Sequence, residues 1–153
     1  MLNIPGYDIQ EQFYKSDKIV IYRGIQTTEF KPVILKMPAN LPLANDTIVQ
    51  YQKEYEILKQ VSGDGVIKAL DLLEPDENIV LIYEDIGGDS LQNILASKKL
   101  NISDFLHLAE KITAALHKIH HHNIIHKNIN PANIIWNPKN DELRIIDFSI
   151  ATM

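Results

Sequence analysis

HKNINPANIIWNPKNDELRIIDFS, residues 126–149, concentrates more chemistry than any other stretch of this 153-residue chain. NIIWNP reads as a packed strand and turn, and ELRIIDF as an apolar strand that delivers Asp147 at its end, because short Ile-rich runs bounded by Asn, Asp and Pro are strand signals. The polar side chains gather where those runs stop. His126, Asn128 and Asn130 precede the first, which Asn133 opens, and Asp147 lies at the end of the second with Ser149 just after it. Taken alone, Asp147 is an ordinary strand-end turn residue.

Working outward toward the N-terminus, the pieces DKIVIYRGI and KPVILKM lie within Tyr7 to Lys36–Met37, separated by the polar QTTEF, and predict an antiparallel meander. After the loop PANLPLAND, Asp46 is a good N-cap. Ile48, Tyr51, Tyr55, Leu58 and Val61 then recur every three or four positions, which predicts one amphipathic helix. SGDG ends it, and VIKALDLLE and NIVLIYEDI come next with the turn PDEN between them, giving five strands with one inserted helix. IGGDS breaks the sheet pattern. Ser90 or Asp89 caps the short helix LQNILAS, and Ser103 opens a longer one with the stripe Phe105, Leu108, Ala109, Ile112, Leu116 and Ile119. Strands first and helices second is an α+β arrangement.

Taken in order, VILK at 33–36, LIYEDIGGDSL at 81–91, and the HKN…N and DFS of the opening stretch resemble a protein kinase. That family writes these parts as V-A-I-K, a hinge, H-R-D-x-x-x-x-N and D-F-G. The likeness implies a partial kinase domain over residues 1–153: a five-stranded antiparallel N-lobe with helix C at 7–86, then the hinge and the start of an incomplete, mainly helical C-lobe at 87–153. It implies ATP and Mg²⁺ as cofactors. Lys36 would pair the ATP phosphates and Glu54 would pair Lys36; Glu54 lies three after Tyr51 and four before Leu58, so it borders the buried stripe. Tyr83 takes the gatekeeper position, the backbones of Glu84 and Ile86 meet the adenine edge, and Asp89 reaches the ribose. Asn133 and Asp147 are the implied Mg²⁺ ligands, which suits an ion that takes hard oxygens and keeps phosphates and waters around it. His126 is implied to pack beneath the loop as a structural residue.

The departures are as specific as the matches. Asn128 stands at the position of the catalytic Asp, and an amide cannot take a substrate hydroxyl's proton as a carboxylate does; such general-base help is worth about 10²- to 10⁴-fold. Asn130 replaces a lysine, and Ser149 replaces a glycine and stiffens the start of the activation segment. The three glycine positions of the phosphate-covering loop are Tyr14, Ser16 and Ile19, of which Ser16 is the candidate for phosphate contact; the conformational freedom of glycine is lost there. The wording HKxINPxNIIWNP is also similar to the N-terminal kinase module of large bacterial multidomain sensor kinases, which makes the chain read as a truncated form of such a domain.

Composition narrows the classes further. A net charge of -5 argues against a nucleic-acid partner, which would need clustered Lys and Arg. No apolar run approaches the ~20 residues of a membrane span. The chain has no cysteine, which removes disulfides, and MLNIPGYDI lacks a signal-peptide pattern, so cytoplasmic residence is expected. His117, His120, His121 and His122 cluster at a helix end, which favours such side chains electrostatically without any metal. Three readings are compatible with these residues: a serine/threonine protein kinase-like domain, weak or inactive in this form; a non-catalytic, pseudokinase-type module that regulates a partner domain; or a small-molecule phosphotransferase of the same fold. Partners are accordingly ATP and a protein substrate or regulated neighbour. The long helix around Ile112 and Leu116 is expected to leave apolar surface that favours association.

Overall fold

The computed structural model describes residues 4–61 and 63–153. In chain order the elements are β1 (Tyr7–Lys15), β2 (Ile19–Gln26), β3 (Lys31–Pro38), α1 (Asn45–Val61), β4 (Gly65–Val66), β5 (Ala69–Leu73), β6 (Val80–Glu84), β7 (Asp89–Ser90), α2 (Leu91–Ser97), α3 (Ile102–His121), a 3-10 turn at Pro131–Asn133, β8 (Ile134–Asn137) and β9 (Glu142–Ile145). They form two compact units, Met1–Tyr55 with Lys68–Asp85, and Glu56–Ile67 with Ile86–Met153.

The first unit is the expected five-stranded antiparallel sheet, in the order β1-β2-β3-β6-β5. Successive strand residues face opposite sides, so Val33, Leu35 and Met37 of β3 join Val80 and Ile82 of β6, with Ile4 and Val20, in one buried cluster. The same alternation sends Lys36 to the other face. Register pairs Lys36 with Leu81 and Ile34 with Tyr83, which makes Lys36 and Tyr83 diagonal neighbours on that face.

The strand β1 runs to Lys15 and pairs Tyr14 with Ile21, while Ile19 opens β2. Two of the three positions read as a phosphate-covering loop therefore lie in strands, and the connection is three residues long. Asp46 is not the cap of α1. The Thr47 and Ile48 N–H groups donate to the Ala44 carbonyl, which places the cap at Ala44 and Asp46 inside the first turn. There its charge still favours the helix N-terminus.

The second unit carries a small sheet in the order β4-β9-β8-β7 beside α2 and α3. The run VIKALDLLE is thereby divided, Val66 pairing with Ile145 of β9 while Ala69–Leu73 joins the first sheet. The Gly-Gly pair is spent on close approach: a Cβ at Gly88 would stand 2.6 Å from the Trp136 carbonyl oxygen, so only glycine lets Asp89 and Ser90 pair with β8. Ser90 caps α2 as expected, accepting from the Asn93 N–H.

For α3 the cap is Asn101, whose Oδ1 takes the Asp104 N–H at 2.7 Å, and not Ser103. Its buried line is Leu108, Ala115 and Ile119, with Ile112 half-buried. Phe105, expected on that line, is 59% exposed, beside Leu106 and Ile102. The exposed apolar surface of this helix is thus at its N-terminal end. Among the described residues no helix is long and apolar enough to cross a membrane.

Candidate functional site

In the first unit, Glu54 of α1 takes Lys36 Nζ on both carboxylate oxygens, at 3.1 and 2.8 Å. Lys36 is 6% and Glu54 1% exposed. The pair is further built around by aromatic side chains. Tyr83 donates its phenol to Glu54 Oε1 at 2.8 Å, and the Tyr51 ring centre lies 5.7 Å from Lys36 Nζ. Charged groups this dry persist only when hydrogen bonds compensate the lost water, and Glu54 receives three. Tyr83, expected at the gatekeeper position, is buried and hydrogen-bonds the ion pair through Glu54.

The end of β6 is anchored twice over. Glu84 gives its N–H to the Lys68 carbonyl and takes the Lys68 N–H on Oε1, while Asp85 takes Arg23 Nε at 3.1 Å and gives its own N–H to the Pro32 carbonyl. Ser16 lies in the β1–β2 turn, where its Oγ accepts from the Ile19 N–H at 3.2 Å.

In the second unit the Ile86 carbonyl accepts from Asn137 Nδ2 at 2.7 Å, a support that sequence reasoning missed. The available signal was a polar Asn closing an apolar strand. Asp89 is exposed and takes the Ser90 N–H and Asn93 Nδ2 on one oxygen, so its local role is to brace the start of α2.

The loop from His126 to Asp147 is organised by hydrogen bonds whose directions are fixed by backbone groups. The Asn128 N–H can only donate, so His126 Nδ1 is an acceptor, at 3.1 Å; the Ile146 carbonyl can only accept, so Nε2 bears the proton, at 2.9 Å. One neutral tautomer satisfies both. The ring is 2% exposed and meets Phe148 edge-on at 4.6 Å, the packed structural role expected of it.

The pairing of β8 with β9 sets Ile134 opposite Ile145, and the Ile146 N–H continues the ladder to the Asn133 carbonyl. This sets Asn133 opposite Ile146, the residue before Asp147. Asn133 gives its Nδ2 to the Asn128 carbonyl at 2.9 Å, so its Oδ1 is the end of the amide not used in that bond. Asp147 takes Asn128 Nδ2 on Oδ2 at 3.2 Å and has φ +64, a left-handed conformation that costs a non-glycine residue energy and recurs at functional sites. One carboxylate and one amide oxygen are hard donors of the kind Mg²⁺ takes when phosphates and waters complete its shell. The donor set fits that ion.

A second anchor holds the turn between β8 and β9. Asp141 takes Lys111 at 2.9 Å, His107 Nε2 at 2.8 Å and Trp136 Nε1 at 3.2 Å, and its carbonyl takes Lys111 as well. The Lys111 bond, first among these causes, draws the Asp141 pKa down to about 2. A carboxyl whose pKa falls on folding adds stability above its ordinary value near 3.8, and that stability is lost as pH drops toward 2. The side chain is 46% exposed, so solvent screening limits the gain to about 1 kcal/mol or less. Denaturant midpoints of wild type and Asp141→Asn should differ at pH 6 and converge as pH falls below about 4.

The histidines at 117, 121 and 122 contact one another through their rings, and His122 Nδ1 bonds the Lys118 carbonyl. Among the described residues no group of three or more His, Asp or Glu side chains is set to hold a metal.

The family described as protein kinase domain matches residues 18–153. Serine/threonine-protein kinase dkf-2 of Caenorhabditis briggsae is 31% identical over 135 residues, covering 86% of this chain and 11% of that protein. Serine/threonine-protein kinase 36 of Pongo abelii is 26% identical, covering 86% of the chain and 10% of its own length. Myosin light chain kinase A of Dictyostelium discoideum is 24% identical over 95% of the chain and 50% of its own length. The chain therefore spans between about a tenth and a half of these relatives. With the VILK strand, its glutamate partner and the loop that joins Asn133 to Asp147 in place, the chain belongs to the protein kinase domain family.

Proposed function

We propose that this chain binds ATP with Mg²⁺ as a serine/threonine protein kinase-like domain, and that its transfer of phosphate to protein hydroxyls is slow. Lys36, held by Glu54, meets the phosphates, and Asn133 and Asp147 supply oxygen ligands to the metal. Bound metal would neutralise phosphate charge. The backbones of Glu84 and Ile86 take the adenine edge, with Asp89 and Ser16 as peripheral contacts. The observation that carries the reading is that Asn133 and Asp147 both hydrogen-bond Asn128, and that Asn133 does so through its nitrogen, so its amide oxygen is not used in that bond.

The slow transfer follows from Asn128. Loss of a general base removes about 10²- to 10⁴-fold in rate. A non-catalytic regulatory module is the second reading, and one observation favours it: the Asn128 amide is committed to Asp147. A thermal-shift titration tests the binding claim. A ligand at about 100 times its Kd stabilises by about 2.7 kcal/mol, so MgATP should raise the melting temperature by several degrees, and Asp147→Asn should abolish the metal-dependent part. No shift in the wild type overturns the proposal. Single-turnover transfer to a mixed serine/threonine peptide then separates a slow kinase from a module with none.

A further inference from the structure

Asn128 and Asn130 both depart from the family pattern, and in the structure they are joined. Asn130 Oδ1 accepts the Ala132 N–H at 2.9 Å. Asn130 Nδ2 donates to Asn128 Oδ1 and to the Asn128 carbonyl, each at 3.1 Å. Asn128 Nδ2 then donates to Asp147 Oδ2 at 3.2 Å. A backbone N–H can only donate, so Ala132 decides which end of the Asn130 amide is oxygen; that puts nitrogen toward Asn128, and so leaves the Asn128 nitrogen for Asp147. The turn at Pro131–Asn133 thereby sets the polarity of every link.

The geometry points to Asn128 as a positioning residue for Asp147, with Asn130 as its orienting partner, so that the two departures form one device in which the residue at the base position holds a metal-ligand carboxylate instead. This rests on the reading of Asp147 as a metal ligand. Asp147 needs such a hold, because its left-handed backbone is not a conformation it adopts at no cost. An aspartate at 128 would instead set carboxylate against carboxylate at this separation, and a lysine at 130 would take away the acceptor for the Ala132 N–H. Either change alone breaks the relay.

Mn²⁺ binding in the presence of a non-hydrolysable ATP analogue, monitored by electron paramagnetic resonance well below the melting temperature, tests the device. Partners that orient metal ligands are worth about 10- to 100-fold in affinity, so Asn128→Ala should weaken Mn²⁺ at least about tenfold. Asn130→Ala should weaken it less, and the double variant should match Asn128→Ala, as expected for residues acting in series. Unchanged affinity in Asn128→Ala overturns the inference, as does a lowered melting temperature with an unchanged Mn²⁺ spectrum, or strict additivity in the double variant. Asp147→Asn and Asn133→Ala address the underlying reading separately. If they bind Mn²⁺ as the wild type does, the metal site itself is refuted; if they lose it while Asn128→Ala does not, only the relay falls.

Discussion

Glu54→Ala is expected to cost about 3–5 kcal/mol, because it removes the carboxylate from a buried charge pair and leaves its partners in a dry site. Lys36 and the Tyr83 phenol both donate to Glu54, so a single truncation takes an acceptor from two donors in one step. Lys36→Ala should cost less. It leaves Glu54 with the Tyr83 hydrogen bond, whereas Tyr83→Phe leaves the ion pair whole and should cost about 1 kcal/mol. The sharper expectation concerns the double change Lys36→Met with Glu54→Leu. Apolar side chains of similar size remove both charges together, so the double variant should be more stable than Glu54→Ala, and close to wild type if packing is kept. Chemical denaturation with each variant gives the order directly, and the largest loss corresponds to roughly 10 °C in melting temperature. If Glu54→Ala melts within about 2 °C of wild type, the pair is solvated in solution and does not anchor α1 to the sheet.

The same group of residues shows what the sequence could and could not reveal. Lys36 and Glu54 were legible because strand alternation and helical spacing each place one of them, and the family order links the two. The Tyr83–Glu54 bond was not, since it depends on the β3–β6 register that makes Lys36 and Tyr83 diagonal neighbours, and no local pattern encodes register between strands so far apart in the chain. Caps failed for a related reason. Asp46, Asn101 and Ser103 are all good capping types, and which one the chain uses depends on where the preceding loop delivers the backbone. Short pairings such as Gly65–Val66 and Asp89–Ser90 are invisible at two residues; they exist because β8 and β9 offer edges to pair with. In the loop, His126, Asn133 and Asp147 were placed by motif. The relay through Asn130 was hidden because hydrogen-bond direction among amides is set by a single backbone N–H.

Phe148→Ala is the second large effect, and its consequence reaches beyond stability. The ring is 1% exposed, and truncating a buried Phe costs about 3–5 kcal/mol in lost transfer energy and residual cavity. It also removes the edge-on contact that fixes the His126 ring at 4.6 Å. That ring bonds the Asn128 N–H on one nitrogen and the Ile146 carbonyl on the other, the residues that carry and precede the two ends of the Asn128–Asp147 bond. A cavity beneath His126 therefore loosens both sides of the proposed metal site at once. Phe148→Leu, which keeps most of the volume, should lose under about 2 kcal/mol and retain the ring's position. The two variants should accordingly separate in Mn²⁺ affinity as well as in denaturant midpoint, with Phe148→Ala weaker by about tenfold and Phe148→Leu close to wild type. Equal Mn²⁺ affinity in a folded Phe148→Ala protein would show that the left-handed Asp147 conformation does not depend on the placement of the His126 ring, and that His126 serves the core without serving the site.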